Sequence, residues 1–555
     1  MSREKKAAFF EKNVGFDLTS WIIVFILYFL NFTSLGVVYM PRIKIEVIDS
    51  VKDAVYSAIE KMSTLKAFKY ADLMVGVSES KIAHSENGMP KSMSEDYNFS
   101  FGVRVVAGEI GAWGYYGQPL GVSDLRGKKI EKAFNSGLKT AYNRAMANSF
   151  NKAKLSTSGG LAPSLSEVKL AKVDVRQDSF KIGFEKDPRT IALNDVLELS
   201  VSVSRQMKDE SAEVKFAYTG IYTGIIRELF CSSEGAKIDQ TVPLTQGIIY
   251  VVAQKADNAP EMYVDYLGDL KGWEVLEGKN VHKLSFLDFA IQRTKETVEL
   301  AGAEPLKSTD NLVVVVTNPH FNTLLVHEIV GHPTEADRVL KMETAYAGRS
   351  WLFRGFDNNQ LGKQIASKLI SAYSDPLTEG YGHYKYDAEG VPAKKVCLIE
   401  NGMLKGFMNS RETAAILNHE PNGSMRATDP ALVPIVRMTN TVFANGNRNP
   451  DEIIAEVKDG YYIANHKIPS ISESRENFRI TAQKVYKIEN GKLTKLYRSG
   501  GITADSRDFL MSIDAVGNDF AIFPIPNCGK GQPMQTMRVG NGGPTLRGKA
   551  KLTGC

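Results

Sequence analysis

Hydrophobic and polar positions along this chain alternate between a helical and a strand repeat. Val47, Val51, Val55, Ile59 and Met62 recur near helical spacing, which predicts an amphipathic helix over residues 46–65. Phe99, Phe101, Val103 and Val105 alternate instead, as a half-buried strand does, and glycines at 108, 111, 114 and 117 predict hairpin turns beyond it. Residues 125–150 read as a long helix, and the Ser-, Gly- and Pro-rich stretch 156–164 as a linker. A helix over 189–208 follows Asp187-Pro188, strands are predicted at 214–222 and 248–256, and another helix at 286–301. Glu304-Pro305 marks the main boundary. After it a short buried strand, 312–316, leads through Asn318-Pro319-His320 into a helix for which Asn322 or Thr323 is the expected N-cap. From residue 390 onward the pattern is mostly strand with Asn-Gly turns. Ile399-Glu400-Asn401-Gly402 is echoed by Ile488-Glu489-Asn490-Gly491, which predicts two type I′ hairpins. The expected fold class is α+β: an N-terminal α/β region at 41–305, subdivided near 156–164, then a C-terminal, mainly antiparallel β domain at 306–555.

Residues 1–40 stand apart. Trp21 to Tyr39 is almost wholly apolar, and nineteen residues of helix span about 28 Å, close to a bilayer's hydrocarbon thickness. Basic residues before it (Arg3, Lys5, Lys6, Lys12) weakly favour an inside N-terminus for a membrane anchor. A cleaved signal is a further reading. Met40, followed by Pro-Arg-Ile-Lys-Ile-Glu-Val, looks like a natural start, and a misassigned start is the favoured explanation. Membrane contact is expected only if residues 21–39 are real.

Composition narrows the class. At 555 residues, with 43% hydrophobic and 24% charged residues, the chain can bury a large core in two or more domains. A net charge of +5 is small for this length and gives no ground to expect nucleic acid; the basic-aromatic stretch 381–386 is too short to change that. Four cysteines without regular spacing fit a reducing compartment rather than a disulfide framework. No G-x-x-x-x-G-K-[ST] occurs, so Gly540, Gly542 and Gly543 do not make a nucleotide loop.

Candidate chemistry concentrates at His327-Glu328-Ile329-Val330-Gly331-His332, in a chain with only eight histidines. Neutral imidazoles are the usual protein ligands of zinc, and a carboxylate between them can serve as general base toward water. The familiar H-E-x-x-H places its histidines four apart on one helix face. Here they are five apart, and a regular helix would aim them about 140° from one another. A π-type bulge would realign the rings; Gly331 relaxes the backbone and Pro333 withholds a donor.

A catalytic zinc usually takes a third protein ligand. The candidates are the other six histidines, Glu335, Asp337 and the four cysteines. Cys528 stands out in Pro526-Asn527-Cys528-Gly529-Lys530-Gly531, where Lys530 would favour thiolate, although a structural loop cysteine is an equal reading of that residue alone. Cys231 and Cys397 read as buried core, and Cys555 as a frayed end. His320 reads as structural more readily than as a substitute ligand. Glu335 and Asp337 read equally as acceptors behind the histidines and as solvated acids. For Arg426 and Arg437, surface ion pairing is favoured over a grip on substrate.

Together these motifs resemble the TldD/PmbA family of zinc metallopeptidases, in its TldD-type, motif-bearing subunit. The resemblance spans roughly residues 45–552. It is carried by H-E-x-x-x-H, Glu335-Ala336-Asp337, Leu398-Ile399-Glu400-Asn401-Gly402 with Leu404-Lys405-Gly406, and Arg437-Met438-Thr439-Asn440-Thr441. Val516-Gly517-Asn518-Asp519, Asn527-Cys528-Gly529-Lys530, Gly543-Pro544-Thr545-Leu546 and Phe101-Gly102-Val103-Arg104-Val105 also match. The resemblance implies that His327, His332 and Cys528 hold Zn²⁺ on the C-terminal domain and that Glu328 is the catalytic base. It implies a peptidase acting on small or unfolded peptides, which enter a narrow channel in extended form. It implies a cytoplasmic homodimer, or a heterodimer with a TldE/PmbA-like paralogue lacking the metal motif. The alternative it carries is a non-catalytic, DNA gyrase modulator-like subunit with a structural metal. Residues 465–469, where the family is glycine-rich, the polar run 470–476 and residues 501–509 depart from the pattern, which puts specificity in question.

Overall fold

The computed structural model describes residues 42–160, 165–355, 358 and 360–554. The apolar run at 21–39, Met40, Cys555 and the last residues of the expected linker lie outside the described residues. Among the described residues no helix is long and apolar enough to cross a membrane.

The first helix, α1 (Val47–Glu60), buries Ile48, Val51, Val55, Ala58 and Ile59 on one face, then tightens into a 3₁₀ turn at Lys61–Thr64. Three antiparallel strands follow: β1 (Phe68–Glu86), β2 (Met89–Ala107) and β3 (Ala112–Pro119). The long helix α2 (Lys129–Thr157) begins and ends later than its apolar pattern predicts. Next come β4 (Gln177–Lys181), α3 (Leu193–Asp209), β5 (Val214–Ser232), β6 (Lys237–Ala253), β7 (Glu261–Asp269) and α4 (Phe286–Ala301). The strands make one sheet in the order β3-β2-β1-β5-β6-β4, with β7 also on β6, and the pairing is antiparallel except between β4 and β6. Helices α1 and α2 cover mainly the β1–β3 half, where Phe101, Val103, Phe134 and Leu138 pack together. Helix α3 packs across β1, β2 and β5 and α4 on β6 and β7, and Val196, Met207, Phe286 and Phe289 join them in one core.

Two readings of this region are corrected. The alternating strand at 99–105 is buried on both faces, because Pro430 lies on the second face: a Cβ at Gly102 would stand 1.8 Å from its carbonyl oxygen. Gly108 and Gly111 do turn the chain with positive φ, but Gly114 and Gly117 lie inside β3. Their lack of a side chain lets the backbones of Ala141 and Ala431 approach. The strand expected at 214–222 is part of the much longer β5, and the one expected at 248–256 is the end of the longer β6, which stops at Ala253.

Among the described residues the C-terminal half has two large sheets and a small one, Met425–Arg426 against Ile435–Val436, and pairing is again mainly antiparallel, in an α+β architecture. In one large sheet, strand Val313–Thr317 runs between Asp459–Ile471 and Leu546–Thr553. The pairing continues through Gly501–Asp505 to Asn477–Glu489, which pairs back onto Asp459–Ile471 and closes the ring. In the other large sheet, Thr441–Phe443 lies beside Gln535–Gly543, and Ala521–Lys530 forms the edge. Both Asn-Gly turns have positive φ at each residue: 48° and 81° at Asn401-Gly402, 50° and 77° at Asn490-Gly491. That is the type I′ requirement.

Helix α5 (Pro319–Val326) packs against strand Gln535–Gly543 of one sheet and Asp459–Ile471 of the other. It starts earlier than its sequence suggests. Asn318, not Asn322 or Thr323, is the N-cap, and its side chain accepts from the Phe321 N–H at 2.8 Å. Asn322 is instead turned inward, donating to the Pro544 carbonyl.

Candidate metal centre

The end of α5 decides the site. Its α-helical bonding stops at Val326, and His327–Gly331 form a π turn in which the His332 N–H reaches the His327 carbonyl, five residues back. This is the bulge that five-residue spacing requires. Pro333 then enters a 3₁₀ turn, His332–Thr334. Gly331 matters for its size rather than its freedom: its φ of −57° suits any residue, but a Cβ there would meet the Met438 methyl at 2.9 Å.

The bulge brings the two imidazoles face to edge, with ring centroids 4.8 Å apart and planes at 90°. Cys528 comes from the edge strand Ala521–Lys530. An irregularity in register between Ile525 and Cys528 re-aims its side chain, as a β-bulge does. One ligand atom each from His327, His332 and Cys528 lies within 4.8 Å of the other two, and all three residues are buried. The Cys528 sulfur is 3.5 Å from His332 Nε2.

Each imidazole is braced through its other nitrogen. His332 Nδ1 sits 2.9 Å from Glu335 Oε2, and His327 Nδ1 sits 3.2 Å from Asn541 Oδ1. The Asn541 amide donates to the Thr441 carbonyl, which leaves its oxygen as acceptor. Both histidines thereby turn Nε2 toward the other ligand atoms, the usual arrangement behind a metal. Glu335 is fully buried and also accepts from Arg338 Nε at 2.9 Å, with Lys530 Nζ at 3.2 Å.

The donor chemistry fits a metal ion. Burial pushes the Cys528 thiol up, but His327, His332 and Arg437 outweigh it and hold the thiol well below its ordinary range. Burial likewise lowers His327, and the Cys528 thiolate more than reverses this, raising the imidazole to about 9. His332 is lowered, by burial and then by the charge of Arg475. The set is therefore one thiolate and two imidazoles, of which one carries a proton that a cation would displace.

Glu328, between the two histidines in sequence, is 8% exposed and ion-paired with Arg475. Burial raises its carboxyl, but Arg475, His327 and His332 together bring it below the usual value.

The remaining candidates separate clearly. His320 is outside the trio, 3.3 Å from Asp265 and stacked on His466 at 4.7 Å. Asp337 is neither solvated nor behind a histidine; it accepts from Lys530 Nζ at 2.7 and 2.9 Å. Lys530 is thus spent on acids and the Val436 carbonyl, and the thiolate owes its charge balance to the histidines and Arg437. Arg426 and Arg437 make no surface ion pairs. Both are buried, Arg426 donating to the Met438 and Arg538 carbonyls and Arg437 to those of Cys528 and Gln535. Cys231 is buried as expected, while Cys397 is half-buried. Arg475 and Asn541 were not legible beforehand. Asn541 lies in a glycine-flanked strand and Arg475 in the polar run 470–476, and neither carries a short-range pattern that singles it out.

Known proteins resemble this chain in sequence and in fold. Residues 310–551 match the model of the PmbA/TldA metallopeptidase C-terminal domain. A metalloprotease of Methanocaldococcus jannaschii is 27% identical over 493 residues, 88% of this chain and 97% of that protein. A metalloprotease of Methanothermobacter thermautotrophicus is 31% identical over 59% of this chain and 66% of its own length. A protein of Saccharolobus solfataricus named zinc metalloprotease TldD homolog is 26% identical over 68% of this chain and 80% of its own length. Among solved structures, TldE from Thermococcus kodakarensis superposes with a TM-score of 0.65 at 16% identity, covering 90% of this chain and all of that one. A Thermotoga maritima protein described as a candidate modulator of DNA gyrase gives 0.66 at 15% identity, over 91% of this chain and all of that one. At these identities the two structures establish the shared fold.

Proposed function

This chain belongs to the TldD/PmbA family of metallopeptidases, and we propose that it is a zinc-dependent peptidase hydrolysing small or unfolded peptides. In this reading His327, His332 and Cys528 hold the zinc and Glu328 is the general base. The observation that supports it most is the convergence of three ligand atoms within 4.8 Å on a π turn that also carries Glu328. Bound there, zinc would supply Lewis acidity toward water and a peptide carbonyl.

The chain's own residues have distinct tasks. Glu328 takes the proton of the attacking water and returns it to the leaving amine. Its lowered pKa keeps it ionised at neutral pH, ready to accept. Glu335 and Asn541 hold the two imidazoles in the tautomer that presents Nε2. Burial of the whole group excludes bulk water and strengthens each electrostatic contact. The partner we propose is a second subunit, either a copy of this chain or a TldE-like paralogue, a reading supported by the fold shared with TldE.

The test is chelation. Purified protein should cleave an unstructured peptide, lose that activity when a chelator strips the metal, and regain it with one equivalent of zinc. Cleavage that persists in metal-free protein rejects the mechanism. Zinc binding with no cleavage of any peptide would favour the regulatory reading. A second expectation concerns Glu335. Glu335→Gln removes the charge behind His332 and should weaken zinc binding about ten- to a hundredfold, read by competition with a chromogenic chelator. Unchanged affinity would mean that Glu335 braces its other partners, among them Arg338 and Lys530, rather than His332.

A further inference from the structure

The carboxylate of Glu328 has one hydrogen-bond partner among the described residues, Arg475. We propose that Arg475 is the positioning residue of Glu328, aiming its carboxylate into the metal centre for proton transfer; this rests on the peptidase reading above.

Three features of Arg475 point this way. It is 5% exposed, so its cation has left water. Its φ is +60°, a left-handed conformation that glycine adopts freely and arginine rarely. And it occupies the tip between strands Asp459–Ile471 and Asn477–Glu489, where the backbone is tied down on several sides. Its N–H donates to the Ser472 carbonyl at 2.9 Å, and its carbonyl accepts from Ser506 Oγ at 2.7 Å. Its Nε donates to the Ala347 carbonyl at 3.1 Å, and the carbonyl of Glu473, two residues before it, accepts from the Arg349 N–H at 3.1 Å. A buried ion pair is a weak source of stability, since desolvation offsets much of its attraction. A strained, buried and heavily anchored arginine is therefore better explained by where it puts its guanidinium. Glu328 has a flexible side chain, and proton transfer depends on placing its oxygens within hydrogen-bond reach of the water. The polar run 470–476 thus supplies a part of the site.

The experiment is a double-mutant cycle on the zinc-loaded protein, with Glu328→Gln, Arg475→Gln and their combination. Arg475→Lys and Arg475→Gly stand beside them, and kcat, KM, zinc content and melting temperature are read for each. Arg475→Gln should lower kcat about a hundredfold, with KM and zinc content near wild type. Arg475→Lys should restore part of that loss. Arg475→Gly relieves the backbone and should fold at least as well as Arg475→Gln, yet share its kcat loss. On the Glu328→Gln background, Arg475→Gln should cost little more. Wild-type kcat in Arg475→Gly or Arg475→Gln, or a loss that adds in full to that of Glu328→Gln, overturns the proposal. A coupling seen in melting temperature but absent from kcat would make the pair structural only and equally overturn it. If wild type cleaves no peptide, the peptidase reading fails first and this role falls with it. The melting cycle would then still report whether the ion pair forms.

Discussion

Glu328→Gln should abolish peptide cleavage while leaving zinc in place. The amide matches the carboxylate in shape but cannot accept a proton from water at neutral pH, so the step that generates the nucleophile loses its base. General bases contribute on the order of 10²–10⁴ in rate, and a fall in kcat of about 10³ is expected. Zinc content should hold, because the trio of His327, His332 and Cys528 does not include Glu328. Stability should drop as well, since the substitution leaves the Arg475 guanidinium buried beside a neutral partner. Elemental analysis, turnover and thermal melting on the same preparation separate these effects. Wild-type turnover with bound zinc would remove Glu328 from the mechanism.

Cys528→Ala should strip the centre of metal. The thiolate is the one anionic donor of the trio, and without it two imidazoles face the ion alone. Structural zinc sites gain about 10–16 kcal/mol from their full ligand set, so losing one donor should cost several kcal/mol, about a thousandfold or more in affinity. Neither His320 nor Asp337 stands ready to replace it. His320 is engaged by Asp265 and His466, and Asp337 by Lys530. In the metal-free protein the mutation also removes the partner that raises His327, so that imidazole should return toward neutrality. About one zinc per chain in wild type and little in Cys528→Ala is the expected result. Zinc retained by Cys528→Ala would mean a different third ligand.

The legible parts of this protein are those whose cause lies within a few residues. Five-residue spacing between His327 and His332, with Gly331 and Pro333 beside it, called for a π bulge, and His327–Gly331 form one. Asn-Gly at 401–402 and 490–491 called for positive φ at both turn residues, and both have it. The helix at Phe286–Ala301 follows from its own apolar repeat and the Ser285 cap. Elsewhere distant contacts override the local pattern. Gly114 and Gly117 look like turn residues, but they are strand glycines required by Ala141 and Ala431, which are distant in sequence. Arg426, Arg437 and Asp337 carry charges that composition alone places in water, yet all three are buried and matched by backbone carbonyls or Lys530.

The sequence by itself thus determined the candidate ligand types, the local bulge that turns two imidazoles together and the family to which the chain belongs. Only the tertiary structure decided that Cys528, 196 residues beyond His332, arrives at 3.5 Å from it, and that Arg475 meets Glu328. The division has a physical basis. Backbone conformation is set mainly by neighbours within a turn's length, through sterics and hydrogen bonds that a short window records. Which buried charge meets which depends on strand register and sheet order summed over the whole chain. A one-residue irregularity such as that between Ile525 and Cys528 re-aims a side chain without leaving a mark in the local pattern.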